Sequence, residues 1–220
     1  MARRDLRRHA ARSALIVALV GLPVAGLTAG FVLSRAATVS GEQRATAMMG
    51  TATLRVDAAS PRARLDPGLL PGQARVLGFA AADGLLRVGA GDVRQVALSD
   101  LPLGDPLAAG MLRLRGGRAP REPGEVAVST EALRELGGRI GGTLRLVRPE
   151  RSLRITGTLV APLDVHAWVA VTGPGTLGPE ARRAWLVALP PGGHAGSGLS
   201  AADGLAVTTR QAAARLAPGD

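Results

Sequence analysis

Residues 14–33, ALIVALVGLPVAGLTAGFVL, run for twenty positions without a charge, and no other feature restricts the fate of this chain so much. A helix of that length rises ~30 Å, the thickness of a bilayer's hydrocarbon core, so the stretch reads as a transmembrane helix. Arg3, Arg4, Arg7, Arg8 and Arg12 precede it against one acid, Asp5, while only Arg35 and Arg44 are basic in the matching window behind it. The positive-inside bias therefore predicts a cell-membrane protein with a cytoplasmic N-terminus and residues 35–220 extracytoplasmic. A cleaved secretory signal is the competing reading. Its apolar region is typically about 7–15 residues, shorter than this one, and no tidy A-x-A cleavage site stands before Ser34 and Arg35. Both readings export the same domain.

Within the apolar stretch Gly26 and Gly30 form a G-x-x-x-G, and Gly21, Ala25 and Ala29 repeat at the same four-residue step one position round. Small residues stacked on one face let a second helix backbone approach closely, which points to membrane partners. The abundance of Gly and Ala in the chain weakens that signal when taken alone. The preceding arm, residues 1–13, sets Leu6 and Ala10 on one helical face with arginines over much of the rest. Such an arm is suited to anionic membrane lipid at the inner leaflet.

The outer part holds about 185 residues, enough for one ordinary domain or two small lobes sharing a core. There is no cysteine, so a disulfide framework, a thiolate metal site and a cysteine nucleophile are all excluded. With two Phe, two Trp and no Tyr, the core must come from Leu, Val, Ala and Ile. The formal charge of +10 divides into +4 on residues 1–13 and +6 spread over the remainder, without blocks and without interleaved aromatic residues. That distribution argues against nucleic-acid binding.

Read in order, residues 34–50 are small and weakly helical and are expected to form a stalk. An extracytoplasmic α+β domain over residues 51–220 follows. Alternation predicts strands at 51–56 and 93–98, and Asp83-Gly84 between two apolar runs predicts a hairpin turn. Residues 101–115 contain two X-Pro breaks and no assignable state. From Glu125 the pattern sharpens. A strand over 125–128 precedes Ser129 as helix N-cap, Ala132, Leu133 and Leu136 line one helix face, and Gly137 ends it. Two strands, 143–147 and 153–160, then flank a turn at Pro149-Glu150. A strand over 165–171, a short helix from Pro179, a strand over 185–189 and a helix over 209–216 complete the expectation. Strand, helix and hairpin in this order give the α+β class.

Residues able to do chemistry are few and dispersed. His9, His166 and His194 lie on separate segments, and no carboxylate spacing around them suggests a metal site. Ser197 sits among glycines but misses the G-x-S-x-G spacing and lacks the strand and helix that would hold a strained nucleophile. Gly173, Gly175 and Gly178 satisfy G-x-G-x-x-G, yet Pro174 and Pro179 remove two of the N–H groups a pyrophosphate cradle would need. These glycines read as a turn. Every basic residue is Arg, so neither a P-loop lysine nor a kinase lysine exists. No catalytic residue, cofactor or metal is expected.

Several blocks together resemble one family. They are Pro102-Leu103-Gly104-Asp105-Pro106-Leu107, the run from Gly117-Arg118-Ala119-Pro120 through Pro123-Gly124-Glu125-Val126-Ala127-Val128-Ser129, then Leu136-Gly137-Gly138-Arg139-Ile140-Gly141-Gly142-Thr143-Leu144, and Ile155-Thr156-Gly157-Thr158-Leu159-Val160. The chain is similar over these blocks to the extracytoplasmic core of FtsX/MacB-like permeases of ABC transporters, in the form common in actinobacteria. The basic arm, the membrane stretch and Met49-Gly50-Thr51-Ala52 match the family's opening as well. Gly142 stands where the family usually carries Asp, and such permeases continue into three further membrane helices, whereas this sequence stops at Asp220. By resemblance it is an N-terminal portion of a permease. The implied partners are membrane lipid, an ATP-binding subunit and a second permease copy or homologue, and the implied substrate is a lipid, lipoprotein, peptide or drug-like molecule. The motif residues Arg118, Pro120, Glu125, Gly141 and Thr143 are expected to build the fold, with an Arg118–Glu125 ion pair. The alternative is a single-pass anchored protein whose outer domain binds a partner and transports nothing.

Overall fold

The computed structural model describes residues 39–88, 92–193, 199 and 204–216. The arm, the apolar stretch with Gly21, Ala25, Gly26, Ala29 and Gly30, and His9, His194 and Ser197 lie outside the described residues. The chain divides into two compact units, 1–40 and 41–220, of which the second holds the elements described below. Among the described residues, no helix is long and apolar enough to cross a membrane.

The second unit is a mixed strand-and-helix domain weighted towards strand. Its elements are α1 (Gly41–Met49), β1 (Leu54–Ala58), β2 (Arg75–Val88), β3 (Asp92–Ser99), β4 (Arg113–Gly117), β5 (Glu125–Ser129), α2 (Thr130–Glu135), β6 (Thr143–Arg148), β7 (Arg151–Val160), β8 (Val169–Thr172), β9 (Arg182–Ala188), β10 (Leu205–Thr209) and α3 (Arg210–Arg215). The strands follow the order β10-β1-β9-β2-β3-β8-β5-β7-β4, and β6 bridges β2 and β7. That bridge closes a ring of six, β2-β3-β8-β5-β7-β6, with β3/β8 and β5/β7 parallel and the other contacts antiparallel.

The ring is a small barrel filled by its own side chains. Each of its strands sends one or two residues into a single buried cluster: Leu86, Val96 and Leu98, Ala170, Val126 and Val128, Leu153 and Ile155, Leu144 and Leu146. Ala132 of α2 joins them. Period-two alternation on β6 thus places its leucines inside and Thr143 and Arg145 outside. The strands β10, β1, β9 and the first half of β2 form an open sheet beside the barrel. On one face, Ala184 and Leu186 pack against Ala45 and Met49 of α1 and Ala213 of α3. The other face carries Leu54, Val56 and Val187 against Leu65, Leu70 and Leu199.

Several sequence expectations change. Asp83-Gly84 is no hairpin turn, because β2 passes straight through it and pairs with β3 on both sides of the position. A Cβ at Gly84 would lie 2.7 Å from Leu98 Cδ1, so the glycine leaves room for the leucine of the neighbouring strand β3. The first strand is shifted from 51–56 to Leu54–Ala58. Residues 165–168 are not strand. Val165 is 59% exposed, the Asp164 carboxylate accepts the His166 N–H at 2.9 Å, and pairing begins at Val169. No helix starts at Pro179; a turn leads into β9 at Arg182. The unassigned stretch 101–115 resolves into a 3-10 turn over Pro106–Ala108, capped by Asp105 accepting the Leu107 N–H at 2.8 Å, followed by β4. Residues 41–49, read as stalk, are a helix whose Ala45 and Met49 are fully buried in the domain core.

By contrast, the strand–helix–hairpin succession from Glu125 to Val160 forms where the pattern put it. Ser129 Oγ accepts the Ala132 N–H as N-cap, and Arg134 O accepts the Gly137 N–H at the helix end.

Candidate functional site

Four of the five motif residues gather about one short piece of β7. Glu125 stands opposite Arg154 across the parallel β5/β7 pair, and Thr143 stands opposite the same residue across β6/β7. Gly141 N–H donates to Ile155 O at 2.7 Å, and Arg118 N–H donates to Thr156 O at 2.9 Å. Pro120, half-buried, lies in the connection from Arg118 to Glu125. Residues 154–156 of β7 are therefore the common neighbour of four motif positions that span 26 residues of sequence from Arg118 to Thr143.

The side chains close this cluster electrostatically. Arg118 grips Glu125 end-on, Nη1 donating to Oε2 at 2.8 Å and Nη2 to Oε1, while the Arg121 N–H donates to Oε2 at 2.9 Å. The hydrogen bonds from Arg118 and then from the Arg121 backbone hold the Glu125 carboxyl well below its usual range, at about 2. The same ion pair raises Arg118 above its ordinary value. Glu125 is 6% exposed, ionised and fully engaged, so it is a clamp between the 118–122 loop and the barrel and does not exchange protons near neutral pH.

A second layer was not legible from sequence. Thr176, 3% exposed, accepts the Gly124 N–H through Oγ1 at 3.2 Å, and its carbonyl accepts from Arg151 Nη1. Both partners lie far from it in sequence, and Thr176 belongs to the Gly/Pro turn that resembles a nucleotide motif. At Gly173 a Cβ would stand 1.8 Å from Glu122 O. Gly173 is pressed against the 122–125 segment, its N–H donating to Glu125 O at 2.9 Å, whereas a Cβ at Gly175 or Gly178 would meet nothing within 4 Å.

His166 lies against α2, with Nδ1 3.6 Å from Glu131 Oε1, and Arg134 donates to the same oxygen at 2.5 Å. The Arg134 hydrogen bond lowers the Glu131 carboxyl from its usual range. Among the described residues, no group of three His, Asp or Glu side chains is arranged to hold a metal ion. A cleft of about 700 Å³ opens beside the motif cluster, lined in part by Arg87, Leu136, Thr143, Arg145, Leu146 and Ile155. Its lining residues include no histidine, serine or cysteine.

No model of a known protein family matches the sequence, and no curated protein matches it. Among solved structures the chain is similar to the periplasmic region of MacB from Actinobacillus actinomycetemcomitans. The TM-score is 0.47 at 13% identity, over 75% of this chain and 92% of that one. It is also similar to a domain described as that of a permease protein from Porphyromonas gingivalis. Here the TM-score is 0.43 at 16% identity, over 70% of this chain and 79% of that one.

Proposed function

We propose that this chain is the N-terminal part of an ABC transporter permease subunit of the FtsX/MacB-like kind, anchored by residues 14–33 with its domain outside the cell membrane. It does no catalysis itself. ATP hydrolysis by a cytoplasmic partner subunit is passed through membrane helices to the outer domain, which acts on a lipid, lipoprotein, peptide or drug-like substrate. A second permease copy or homologue completes the membrane assembly.

One observation carries this reading. The helices α1 and α3, which open and close the domain, run antiparallel and in contact. A Cβ at Gly41 would lie 2.7 Å from Ala214 O, and Arg44 Nη1 donates to that same carbonyl at 3.2 Å. At the other end of the pair, Arg210 Nη1 donates to Gly50 O at 2.8 Å and Nη2 to Thr46 Oγ1 at 2.7 Å. The chain thus enters and leaves the domain at one place, the geometry needed by a domain inserted between two membrane helices. The motif blocks around β7 support the family, and the charge bias around residues 14–33 supports the orientation.

The cysteine-free sequence makes the test direct. In intact cells a membrane-impermeant maleimide is expected to label Arg145→Cys and to leave Arg4→Cys unlabelled. Affinity purification from detergent-solubilised membranes is expected to retain an ATP-binding subunit encoded beside this chain. Labelling of the opposite pattern overturns the orientation, and a purified membrane complex without an ATP-binding subunit overturns the transport reading.

A further inference from the structure

The two ends of the sheet are built differently. At one end β4 carries Arg113 and Arg115 and a bulge between Leu114 and Gly116, devices that discourage further strand pairing. At the other end β10 reads Leu205-Ala206-Val207-Thr208-Thr209, with no charge and no proline, and it pairs with β1 in unbroken register. Among the described residues no strand pairs with its other edge.

We infer that the free edge of β10 pairs antiparallel with β10 of a second copy of this chain, about a two-fold axis at Val207. Backbone parity favours it. Ala59 N–H donates to Gly204 O at 2.7 Å, and Arg210 N–H donates to Thr53 O at 3.1 Å. Residues 204, 206, 208 and 210 therefore turn their backbone groups to β1, leaving those of Leu205, Val207 and Thr209 directed outwards. A two-fold at Val207 sets Val207 against its own copy and Leu205 against Thr209 of the second copy. All three outward residues then meet partners of the same parity, and no charge opposes a charge. Such an axis is perpendicular to the sheet, so the α1/α3 pairs of both copies lie on the same face of the joined sheet. That arrangement is compatible with two chains anchored in one membrane. The inference rests on the anchored permease reading for its choice of occupant, and it specifies the surface.

The test uses the full chain in native membranes. Opposed residues of such a pair have Cα atoms about 5.5 Å apart, within the roughly 4.4–6.8 Å that a disulfide spans. Oxidation of Val207→Cys is expected to give a band at twice the monomer mass on a non-reducing gel, and Leu114→Cys, on the opposite sheet edge, none. Leu205→Cys and Thr209→Cys are expected to cross-link when co-expressed and not when expressed singly, which reads the register and guards against misfolding of one variant. A protease-resistant protein that stays monomeric in both experiments overturns the inference. So does an adduct of another mass, or an equal yield from Leu114→Cys. Cross-linking without a co-purified ATP-binding subunit upholds the pairing and removes the transport reading, while the subunit without cross-linking does the reverse.

Discussion

At the scale of single residues, the Arg118–Glu125 pair shows how a motif can be structural and still be specific. The carboxylate serves two loop N–H groups and one guanidinium, and its identity is dictated by that donor count. Because its folded pKa lies below the value in an unfolded chain, the contribution to stability is present in full above about pH 4.5. It is lost as the pH falls towards the folded value of about 2. Glu125→Gln is therefore expected to lower the urea midpoint at pH 7 and to flatten its decline between pH 4.5 and 2, as urea titrations across that range would record. Two glycines offer a second comparison. At Gly173 a Cβ would collide with Glu122 O, whereas at Gly175, with φ of 71°, nothing lies within 4 Å. Gly175→Ala is expected to cost only the backbone term of about 1 kcal/mol. Gly173→Ala must move the clamp loop and costs more, measurable as the larger fall in Tm. The pair was not legible beforehand, since both glycines satisfy the same motif spacing.

Among elements, α1 is tied to α3 at one end by Arg44, at the other by Arg210, and between them by the packing of Ala45 and Met49 on Ala213. Arg210 donates to Gly50 O and Ala52 O, just past the end of α1, and to Thr46 and Glu42 along its length. Nine residues are too few to hold a free helix in water, and burial of Ala45 and Met49 gives α1 its order. Arg210→Ala is expected to destabilise the domain by about 1–2 kcal/mol through the unsatisfied carbonyls. It should speed amide hydrogen exchange in α1 and α3 ahead of the barrel. Equal protection loss in β5 and β7 would contradict a local role. The elements that sequence located best, β5, α2, β6 and β7, carry strong local signals: an N-cap, a helix-ending glycine and clean alternation over a two-residue turn. Those it missed are set by distant partners. Gly84 looks like a turn residue until Leu98 is packed against it, and residues 165–168 alternate like a strand but begin in a turn closed by Asp164, reaching β3 only where Trp168 O accepts the Ala97 N–H at 2.9 Å.

For the whole molecule, the buried clusters among the described residues are composed of residues from 45 to 213. A chain starting at Val39 is expected to remain in solution and unfold in one cooperative transition, while the full chain sediments with membranes. A full chain that partitions with the soluble fraction would remove the anchor. Sequence alone determined the features that depend on near neighbours and on composition. These were the charge-free stretch and its flanking arginines, the absence of thiol chemistry, the mixed strand-and-helix class, and the segment from Glu125 to Val160. Tertiary structure alone decided that six strands close on themselves, that four motif positions meet at residues 154–156, and that α1 and α3 lie side by side. The reason is that closure and convergence are made by hydrogen bonds and contacts between residues tens of positions apart. Periodicity says which face a residue turns inwards, but only the folded chain says what it meets there.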